Sequence, residues 1–187
     1  AKMKEWIDLA TWSSSPGVGR LLECGMARLL VSKTPLRSST FNVPPAQKYE
    51  FDDLETQANQ KGGKVGIVVN LTPFPSKMLY TAIDTEVVVA DFMCEEEDKE
   101  PQEKVFKLFR KTLNMFFENP KNEKKSVCVC CTYGYDIAGY MIARYLLEEY
   151  TIYSAQALTK FAGVRPPGVK STMLRTKLKD RSDKVEK

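Results

Sequence analysis

The sequence predicts an α/β fold in which a central, mixed but mostly parallel sheet is flanked by helices. Two short apolar runs, 65–71 and 127–131, are bounded by turn residues and have the continuous hydrophobic character of strands buried on both faces. Segments with apolar residues at helical spacing alternate with these strands, as in sheets that helices cover on both sides. The 187 residues, of which 43% are hydrophobic and 28% charged, suffice for one domain with a full core.

The predicted elements follow one another with no internal repeat and no interdomain linker. Strands are expected at 29–31, 65–71, 86–90 and 127–131. Helices are expected to begin near Phe51, Pro101, Tyr140 and Ser154, with one more in the last segment, 169–187. In the second of these helices, the residues predicted to face the core are Val105, Leu108, Phe109, Thr112 and Phe116.

The segment 127–139 carries the strongest chemical signal. It combines a buried strand that ends at Cys131, a tight loop, and the start of an amphipathic helix. Free backbone N–H groups and the positive end of the helix dipole would point at one spot, which makes a cradle for an anion. A cysteine at the first position of such a cradle lies where a thiolate is stabilised. The loop residues expected to form the cradle are Thr132, Tyr133, Gly134, Tyr135 and Gly139.

This layout resembles that of the cysteine phosphatases, whose loop has the pattern His-Cys, five residues, Arg, Ser or Thr, Gly. Within that class, the chain resembles the RNA 5′-triphosphatase domain of the metazoan-type mRNA capping enzyme, with the loop His-Cys-Thr-His-Gly-Phe-Asn-Arg-Thr-Gly. Residues 130–139 align with that loop without a gap, and 164–168 and 69–72 match the family's Ala-Arg-Pro-Pro-Gly and Asp-Leu-Thr motifs. The resemblance covers nearly the whole chain and implies a cysteine phosphatase fold of the dual-specificity type.

The signature segment, residues 130–139, departs from the family at positions that carry chemistry. Cys131 keeps the place of the nucleophile, which in the family attacks the γ-phosphorus of the RNA end. Cys130 stands where the family has histidine. Ile137 replaces the arginine that holds the phosphoryl oxygens, and Ala138 replaces the hydroxyl residue, so neither side chain donates a hydrogen bond.

Two further departures alter the charge of the expected site. Asn70 stands where the family has an acidic residue, and Asp136 replaces an amide inside the loop. A carboxylate roughly 5 Å from a phosphate, at an effective dielectric constant near 20, costs ~3 kcal/mol, and the lost arginine contact costs ~2–5 kcal/mol more. The acidic run at 95–100 would add to this repulsion if it faces the pocket. The sequence therefore predicts no catalytic residue, only the remnant nucleophile Cys131, and a pseudophosphatase rather than an enzyme.

The function that this resemblance implies is a catalytically inactive RNA triphosphatase-like domain in mRNA capping or translation. It would act as a protein-interaction module, with binding of the RNA 5′ end left open. The expected partner is a protein, such as a fused or associated guanylyltransferase or an mRNA cap or translation factor, and not a membrane. The alternative is an active but unorthodox RNA 5′-triphosphatase that uses Cys131 as nucleophile. That alternative needs an arginine from elsewhere, for which Arg144 and Arg165 are the nearest candidates in sequence.

The formal net charge of the chain is +4, and it is unevenly placed. Residues 169–187 hold seven basic and three acidic residues. We therefore divide the chain into a phosphatase-like domain at 1–168 and a basic C-terminal helix or tail at 169–187. The simplest interpretation is that these basic residues lie on a solvated helix or tail. The alternative is that they contact nucleic acid. The candidate RNA contacts are Lys121, Lys124, Lys125, Arg165, Lys170, Arg175 and Lys177.

Five cysteines and no histidine limit the chemistry further. An odd number of cysteines, three of them in one strand, argues against a secreted disulfide framework, so a cytoplasmic or nuclear location is expected. With no histidine in the chain, neither a metal nor a cofactor is expected. No apolar run reaches the ~18 residues of a membrane span, and the first residues lack the apolar core of a signal peptide. The chain begins without methionine, which is expected of a piece of a longer protein.

Overall fold

A five-stranded sheet forms the centre of the computed structural model, which describes residues 2–94 and 99–185. The strands are β1 (Leu22–Cys24), β2 (Ala27–Lys33), β3 (Val65–Asn70), β4 (Val88–Asp91) and β5 (Ser126–Cys131). Their order across the sheet is β1-β2-β5-β3-β4. The last four in that order are parallel, and β1 pairs antiparallel with β2. The predicted α/β fold with a mixed, mostly parallel sheet is confirmed.

Helices cover both faces of this sheet. In chain order they are α1 (Lys2–Glu5), α2 (Leu9–Ser14), α3 (Ser38–Phe41), α4 (Phe51–Gly62), α5 (Ser76–Leu79), α6 (Glu103–Glu118), α7 (Asp136–Tyr150), α8 (Ser154–Val164) and α9 (Thr172–Val185). Single turns of 3-10 helix lie at Pro45–Gln47 and Pro120–Asn122. One core layer packs the sheet against α6 to α9, and the other packs it against α2 to α5.

The central strand β5 is buried along its whole length. Because successive side chains of a strand point to opposite faces, Val127, Val129 and Cys131 join the core under α6 to α9. Cys128 and Cys130 point to the other core layer, under α4. An uninterrupted apolar strand between two helical layers explains why these cysteines behave as small apolar residues.

Three details differ from the sequence prediction. The antiparallel strand β1 was not predicted, because three residues give no periodic signal. In α6 the buried stripe is Phe106, Phe109, Leu113 and Phe116, and Leu108 is 48% exposed. The spacing of that stripe follows the helical period from Phe106 and therefore excludes Leu108. Helix α7 begins at Asp136, whereas the sequence pattern places its start near Tyr140.

The last helix, α9, packs against α7 and α8. Its Leu174 and Leu178 are fully buried in the core on that side of the sheet. The division of the chain at residue 168 stays a prediction. Of the acidic run at 95–100, whose position relative to the pocket the sequence leaves open, residues 95–98 fall outside the described residues. Glu100 pairs with Arg181 of α9.

Within 2–94 and 99–185, no helix is long and apolar enough to cross a membrane.

Candidate active site

The signature segment runs from the carboxyl end of β5 into the first turn of α7. Cys131 is the last residue of β5 and pairs in register with Lys33 of β2. Gly134 has a φ of +80°, and a Cβ atom there would lie 2.6 Å from Nη2 of Arg165 and 2.7 Å from the carbonyl carbon of Ser32. Only glycine fits such a turn and such a close approach without strain. The loop can therefore fold tightly over the strand ends, as the sequence predicts.

A small cavity of about 150 Å³ opens over this loop. Its lining residues are Thr11, Cys131, Tyr133, Tyr135, Asp136, Ile137 and Lys170. Cys131 is 5% exposed, so its thiol lies deep in the cavity wall. The volume is well above the roughly 10–15 Å³ that one water needs. The cavity therefore leaves room for a small polar group beside Cys131.

Arg165 fastens the loop from behind and is 2% exposed. Its guanidinium donates hydrogen bonds to the carbonyl oxygens of Gly134, Tyr133, Pro16 and Gly17. Burial lowers the pKa of Arg165, whereas the negative charges that Tyr135 and Cys131 can carry act in the opposite direction. This guanidinium thus holds the loop in shape and places a positive charge behind Cys131.

Asp136 begins α7, and the loop sequence predicts that its carboxylate repels an anion. In the structure its Oδ1 accepts hydrogen bonds from the backbone N–H groups of Lys170, at 2.7 Å, and Ser171, at 2.9 Å. Two backbone donors therefore share the charge of this carboxylate, and the bonds fix the segment after the Arg-Pro-Pro-Gly motif against the loop.

The remaining altered positions of the signature segment are buried. Ile137 is 2% exposed and lines the cavity, where it supplies an apolar wall. Ala138 is fully buried at the start of α7. A Cβ on Gly139 would lie 2.5 Å from Phe161, so this glycine lets α8 pack closely. Cys130 points to the opposite face of the sheet, where burial raises the pKa of its thiol well above the ordinary value.

The two tyrosines of the loop contact other parts of the protein. The hydroxyl of Tyr133 accepts a hydrogen bond from the backbone N–H of Asp8, at 3.0 Å. The buried ring of Tyr135 lies between two cations, with its centroid 4.9 Å from the guanidinium of Arg165 and 4.1 Å from Nζ of Lys170. The hydroxyl of Thr132 is buried without a hydrogen-bond partner.

Asn70, at the end of β3, organises the neighbouring turn. Its Nδ2 donates to the carbonyl oxygen of Phe74, at 2.8 Å, and to Oδ1 of Asp91, at 2.9 Å. Its Oδ1 accepts from the backbone N–H and the hydroxyl of Thr72. All of these contacts lie within the protein, and Asn70 is not among the residues that line the cavity.

Of the two arginines considered as substitutes for the missing one, only Arg165 adjoins the loop. Arg144 lies on α7 and pairs with Glu103 of α6, at 2.7 Å, and with Glu148, at 3.2 Å. Its guanidinium also covers the ring of Phe106, at 3.7 Å from the centroid. Arg144 therefore links α6 to α7 rather than serving the cavity.

The structure separates the candidate RNA contacts into three places. Lys121, Lys124 and Lys125 precede β5, so the strand, about 17 Å long at about 3.3 Å per residue, separates them from Cys131 at its other end. Arg175 and Lys177 are exposed on α9. Arg165 and Lys170 adjoin the signature loop.

One charged residue beside the loop, Lys33, was missed by the sequence analysis. Lys33 is 4% exposed, and its Nζ donates to the carbonyl oxygen of Trp12, at 2.8 Å. The same ammonium lies 4.1 Å from the centroid of the Trp12 ring. Burial lowers the pKa of Lys33 to about 8, and the charge of Arg165 acts in the same direction. The sequence signal that could have indicated this role is the position of Lys33 at the end of a predicted strand, β2, which pairs with β5 in the structure.

Among the described residues, no group of three or more His, Cys, Asp or Glu side chains is arranged to hold a metal ion.

Comparisons with known proteins place the chain near phosphatases. It is 27% identical over 154 residues to an RNA/RNP complex-1-interacting phosphatase homolog from Caenorhabditis elegans, which covers 80% of this chain and 65% of that protein. It is 25% identical over 130 residues to the mRNA-capping enzyme of Danio rerio, over 68% of this chain and 21% of that protein. It is 23% identical over 181 residues to the probable tyrosine-protein phosphatase pir-2 of Caenorhabditis elegans, over 92% of this chain and 49% of that protein. The chain thus spans less than two thirds of the length of these relatives.

Solved structures support the same fold. Human DUSP28 matches with a TM-score of 0.61 and 13% identity, over 92% of this chain and 97% of that chain. A protein tyrosine phosphatase from Leishmania major matches with a TM-score of 0.64 and 14% identity, over 86% of this chain and 96% of that chain. No family model matches the chain. The predicted dual-specificity phosphatase-like fold is confirmed.

These comparisons also correct one prediction. The sequence analysis concluded that the chain is not an enzyme because Ile137 and Ala138 replace the signature donors. The prediction is contradicted, because the similar proteins from Caenorhabditis elegans, at 27% and 23% identity, carry the names of phosphatases. The comparisons confirm a resemblance to RNA-related phosphatases in general, without distinguishing the capping-enzyme branch.

Proposed function

We propose that this chain is a cysteine phosphatase domain that removes the terminal phosphoryl group from the 5′ end of RNA, with Cys131 as nucleophile. Two relatives named for RNA, a phosphatase homolog that interacts with an RNA/RNP complex and an mRNA-capping enzyme, support an RNA substrate. The observation that carries the proposal is the place of Cys131 in the wall of the loop cavity.

The surroundings of Cys131 favour a thiolate and an oxyanion. The 15-residue helix α7 begins directly after the loop, so its dipole and free N–H groups offer positive charge to the cavity. The guanidinium of Arg165 adds a full charge behind the loop, where low solvent access strengthens its field. A cysteine near a cation and a helix N-terminus is more readily ionised. These features supply part of what the signature arginine supplies in the family.

The transfer can be written with Cys131 and water alone, although the donors of the signature arginine are absent. Sγ of Cys131 attacks the terminal phosphorus, an S–P bond forms, and the P–O bond to the next phosphate breaks with its electron pair on the bridging oxygen. Water then attacks the phosphocysteine, so inorganic phosphate leaves and the thiolate returns. The departing diphosphate end is a weak base and needs no proton in the transition state. A chain without histidine can therefore perform this transfer.

Ile137 sets the expected speed of this reaction. Its apolar side chain donates no hydrogen bond, so backbone N–H groups carry the stabilisation of the phosphoryl oxygens. Removal of one such donor in other enzymes costs about 10²–10³ in kcat. We therefore expect slow but measurable turnover.

The narrower assignments remain predictions that follow from this proposal. The branch with the capping enzyme is expected because the signature segment aligns with its loop without a gap. A protein partner in capping or translation, and a cytoplasmic or nuclear location, are expected for the same reason.

The test is phosphate release from a 5′-triphosphate oligoribonucleotide in the presence of a metal chelator. We expect release by the unmodified protein, none by Cys131→Ser, and unchanged release by Cys24→Ser, which alters a cysteine in β1 away from the loop. The double variant Ile137→Arg, Ala138→Thr should release phosphate faster. A phosphotyrosine peptide is the comparison substrate, and preference for the peptide would exclude the RNA substrate. No release by the unmodified protein would overturn the proposal.

A further inference from the structure

A single lysine supplies positive charge to the mouth of the cavity that Cys131 lines. Lys170 follows the Arg-Pro-Pro-Gly segment, is exposed, and lines the same cavity as Cys131 and Ile137. Its Nζ lies 4.1 Å from the centroid of the Tyr135 ring. Of the described residues that line the cavity, Lys170 is the one with a positively charged side chain.

The backbone of this lysine is fixed although its side chain is exposed. The carboxylate of Asp136 accepts hydrogen bonds from the backbone N–H groups of Lys170 and Ser171. Nη1 of Arg175 donates to the carbonyl oxygen of Val169, at 3.1 Å. Asp136 thereby ties the segment to the loop, and the bond of Arg175 fixes the backbone just before Lys170, which lowers the entropic cost of placing the ammonium over the cavity.

The other two cations near the loop are already engaged. Arg165 uses its N–H groups on four backbone carbonyl oxygens behind the loop. The ammonium of Lys33 is bonded to the carbonyl oxygen of Trp12 and packed on the Trp12 ring. Both act on an anion only at a distance, whereas Lys170 can turn its three donors toward one that enters the cavity.

We propose that Lys170 binds the terminal phosphoryl group of the substrate and takes the electrostatic place of the signature arginine, where this chain has Ile137. A lysine binds phosphate as a point charge from a flexible stem, so it can reach from the rim of the cavity rather than from within the loop. The proposal rests on the proposed function, because it assigns the group that recognises the phosphate of that substrate.

The first experiment measures binding without turnover. In the Cys131→Ser background, a fluorescent 5′-triphosphate oligoribonucleotide is compared with the same oligoribonucleotide ending in a 5′-hydroxyl. Lys170→Met should raise the Kd for the triphosphate about tenfold or more, as expected for loss of a charged hydrogen bond. It should leave the Kd for the 5′-hydroxyl form unchanged. Lys170→Arg should keep most of the affinity, and the control Lys179→Met, an exposed lysine on α9, should not alter the preference.

A second readout separates a phosphate contact from a structural role. The association constant K falls as salt rises, so a plot of log K against log salt has a negative slope. If Lys170→Met loses one phosphate contact, this slope should become less steep by about 0.7 for a single strand. In the catalytically intact protein, Lys170→Met should raise KM or lower kcat/KM for the triphosphate, with Lys170→Arg restoring most of the loss.

The outcomes distinguish this inference from the proposed function. Binding that prefers the triphosphate through Lys170, without turnover by the unmodified protein, would sustain the inference and refute the catalytic proposal. If turnover depends on Cys131 but is unchanged by Lys170→Met, the inference about Lys170 is refuted and the catalytic proposal stands. Equal affinity of the Cys131→Ser protein for the two oligoribonucleotides would also overturn the inference.

Discussion

Three cations lie near the signature loop that follows Cys131. Lys33 lies in register beside Cys131 in β2, Arg165 lies behind the loop, and Lys170 stands at the cavity. The first two are buried and bonded to backbone carbonyl oxygens, so they contribute field rather than contact. In a site shielded from water such charges act strongly on a thiolate. Replacement of the signature arginine by Ile137 therefore removes donors from the loop without removing positive charge from its surroundings.

The buried ammonium of Lys33 makes a prediction about stability and pH. Its pKa of about 8 in the folded protein lies below its usual 10.5, because burial disfavours the charged form. Between these values the unfolded chain binds a proton that the folded chain has released, so stability from this group rises with pH. We therefore expect the unfolding free energy of the unmodified protein, minus that of Lys33→Met, to increase by about 1–2 kcal/mol from pH 8 to 9.5.

Urea unfolding of both proteins across that range is the measurement. Burial also raises the pKa of Cys94 to about 12, which opposes the trend in each protein separately. That contribution is the same in the two proteins and cancels in their difference. A difference that is flat or that shrinks with pH would contradict the assignment of a lowered pKa to Lys33.

At the scale of elements, the strand–loop–helix unit is held by contacts from outside itself. Arg165 fills the space behind the loop, and Asp136 ties the first turn of α7 to the segment that precedes α9. The N-terminal residues contribute as well, because the carbonyl oxygens of Pro16 and Gly17 accept from the same guanidinium. The shape of the loop is therefore a property of three chain segments that meet at one buried arginine.

This arrangement predicts that Arg165→Met lowers the free energy of unfolding by about 3 kcal/mol. A hydrogen bond to a charged group contributes about 1.5–3 kcal/mol, and methionine leaves four carbonyl oxygens behind the loop without their donor. Relief of the cost of burying the guanidinium offsets much of the sum. Arg165→Lys keeps the charge but not the fork of donors and should fall in between. The control is Lys177→Met on the exposed side of α9, with an expected loss under about 1 kcal/mol. Chemical denaturation measures all three, and an Arg165→Met protein as stable as the control would refute this role.

The sequence predicts more of the strand–loop–helix unit than of its electrostatics. The strand up to Cys131, the glycine turn and the helix after it all follow from local patterns. The hydrogen bonds of Asp136 to residues 170 and 171, and the place of Lys33 beside the loop, depend on segments far apart in the chain. A residue-by-residue alignment therefore assigned Asp136 to repulsion of the anion and overlooked Lys33, because both roles arise from tertiary contacts.

For the whole molecule, the hydrophobic periodicity of the sequence predicted the central strands and the helices that cover them better than it predicted the edge strand β1. The central strands and the helices that cover them were found, because a strand between two helical layers is apolar throughout. The edge strand β1 was missed, since its three residues have one buried side chain and carry no alternation that distinguishes a strand. The count of charged residues in 169–187 also did not predict how α9 packs. Among those charged residues are two fully buried leucines at helical spacing.

Those two leucines allow a last prediction about the molecule as a single cooperative unit. Leu178 of α9 is fully buried against the core that α7 and α8 share, so Leu178→Ala should leave a cavity and lower the free energy of unfolding by about 3 kcal/mol. Lys179→Ala, its exposed neighbour, should change stability by less than about 0.5 kcal/mol. Circular dichroism and tryptophan fluorescence should report one shared transition for both variants, because Trp12 is buried in the opposite core layer. If 169–187 were a separate tail, Leu178→Ala would leave the fluorescence transition where it is in the unmodified protein.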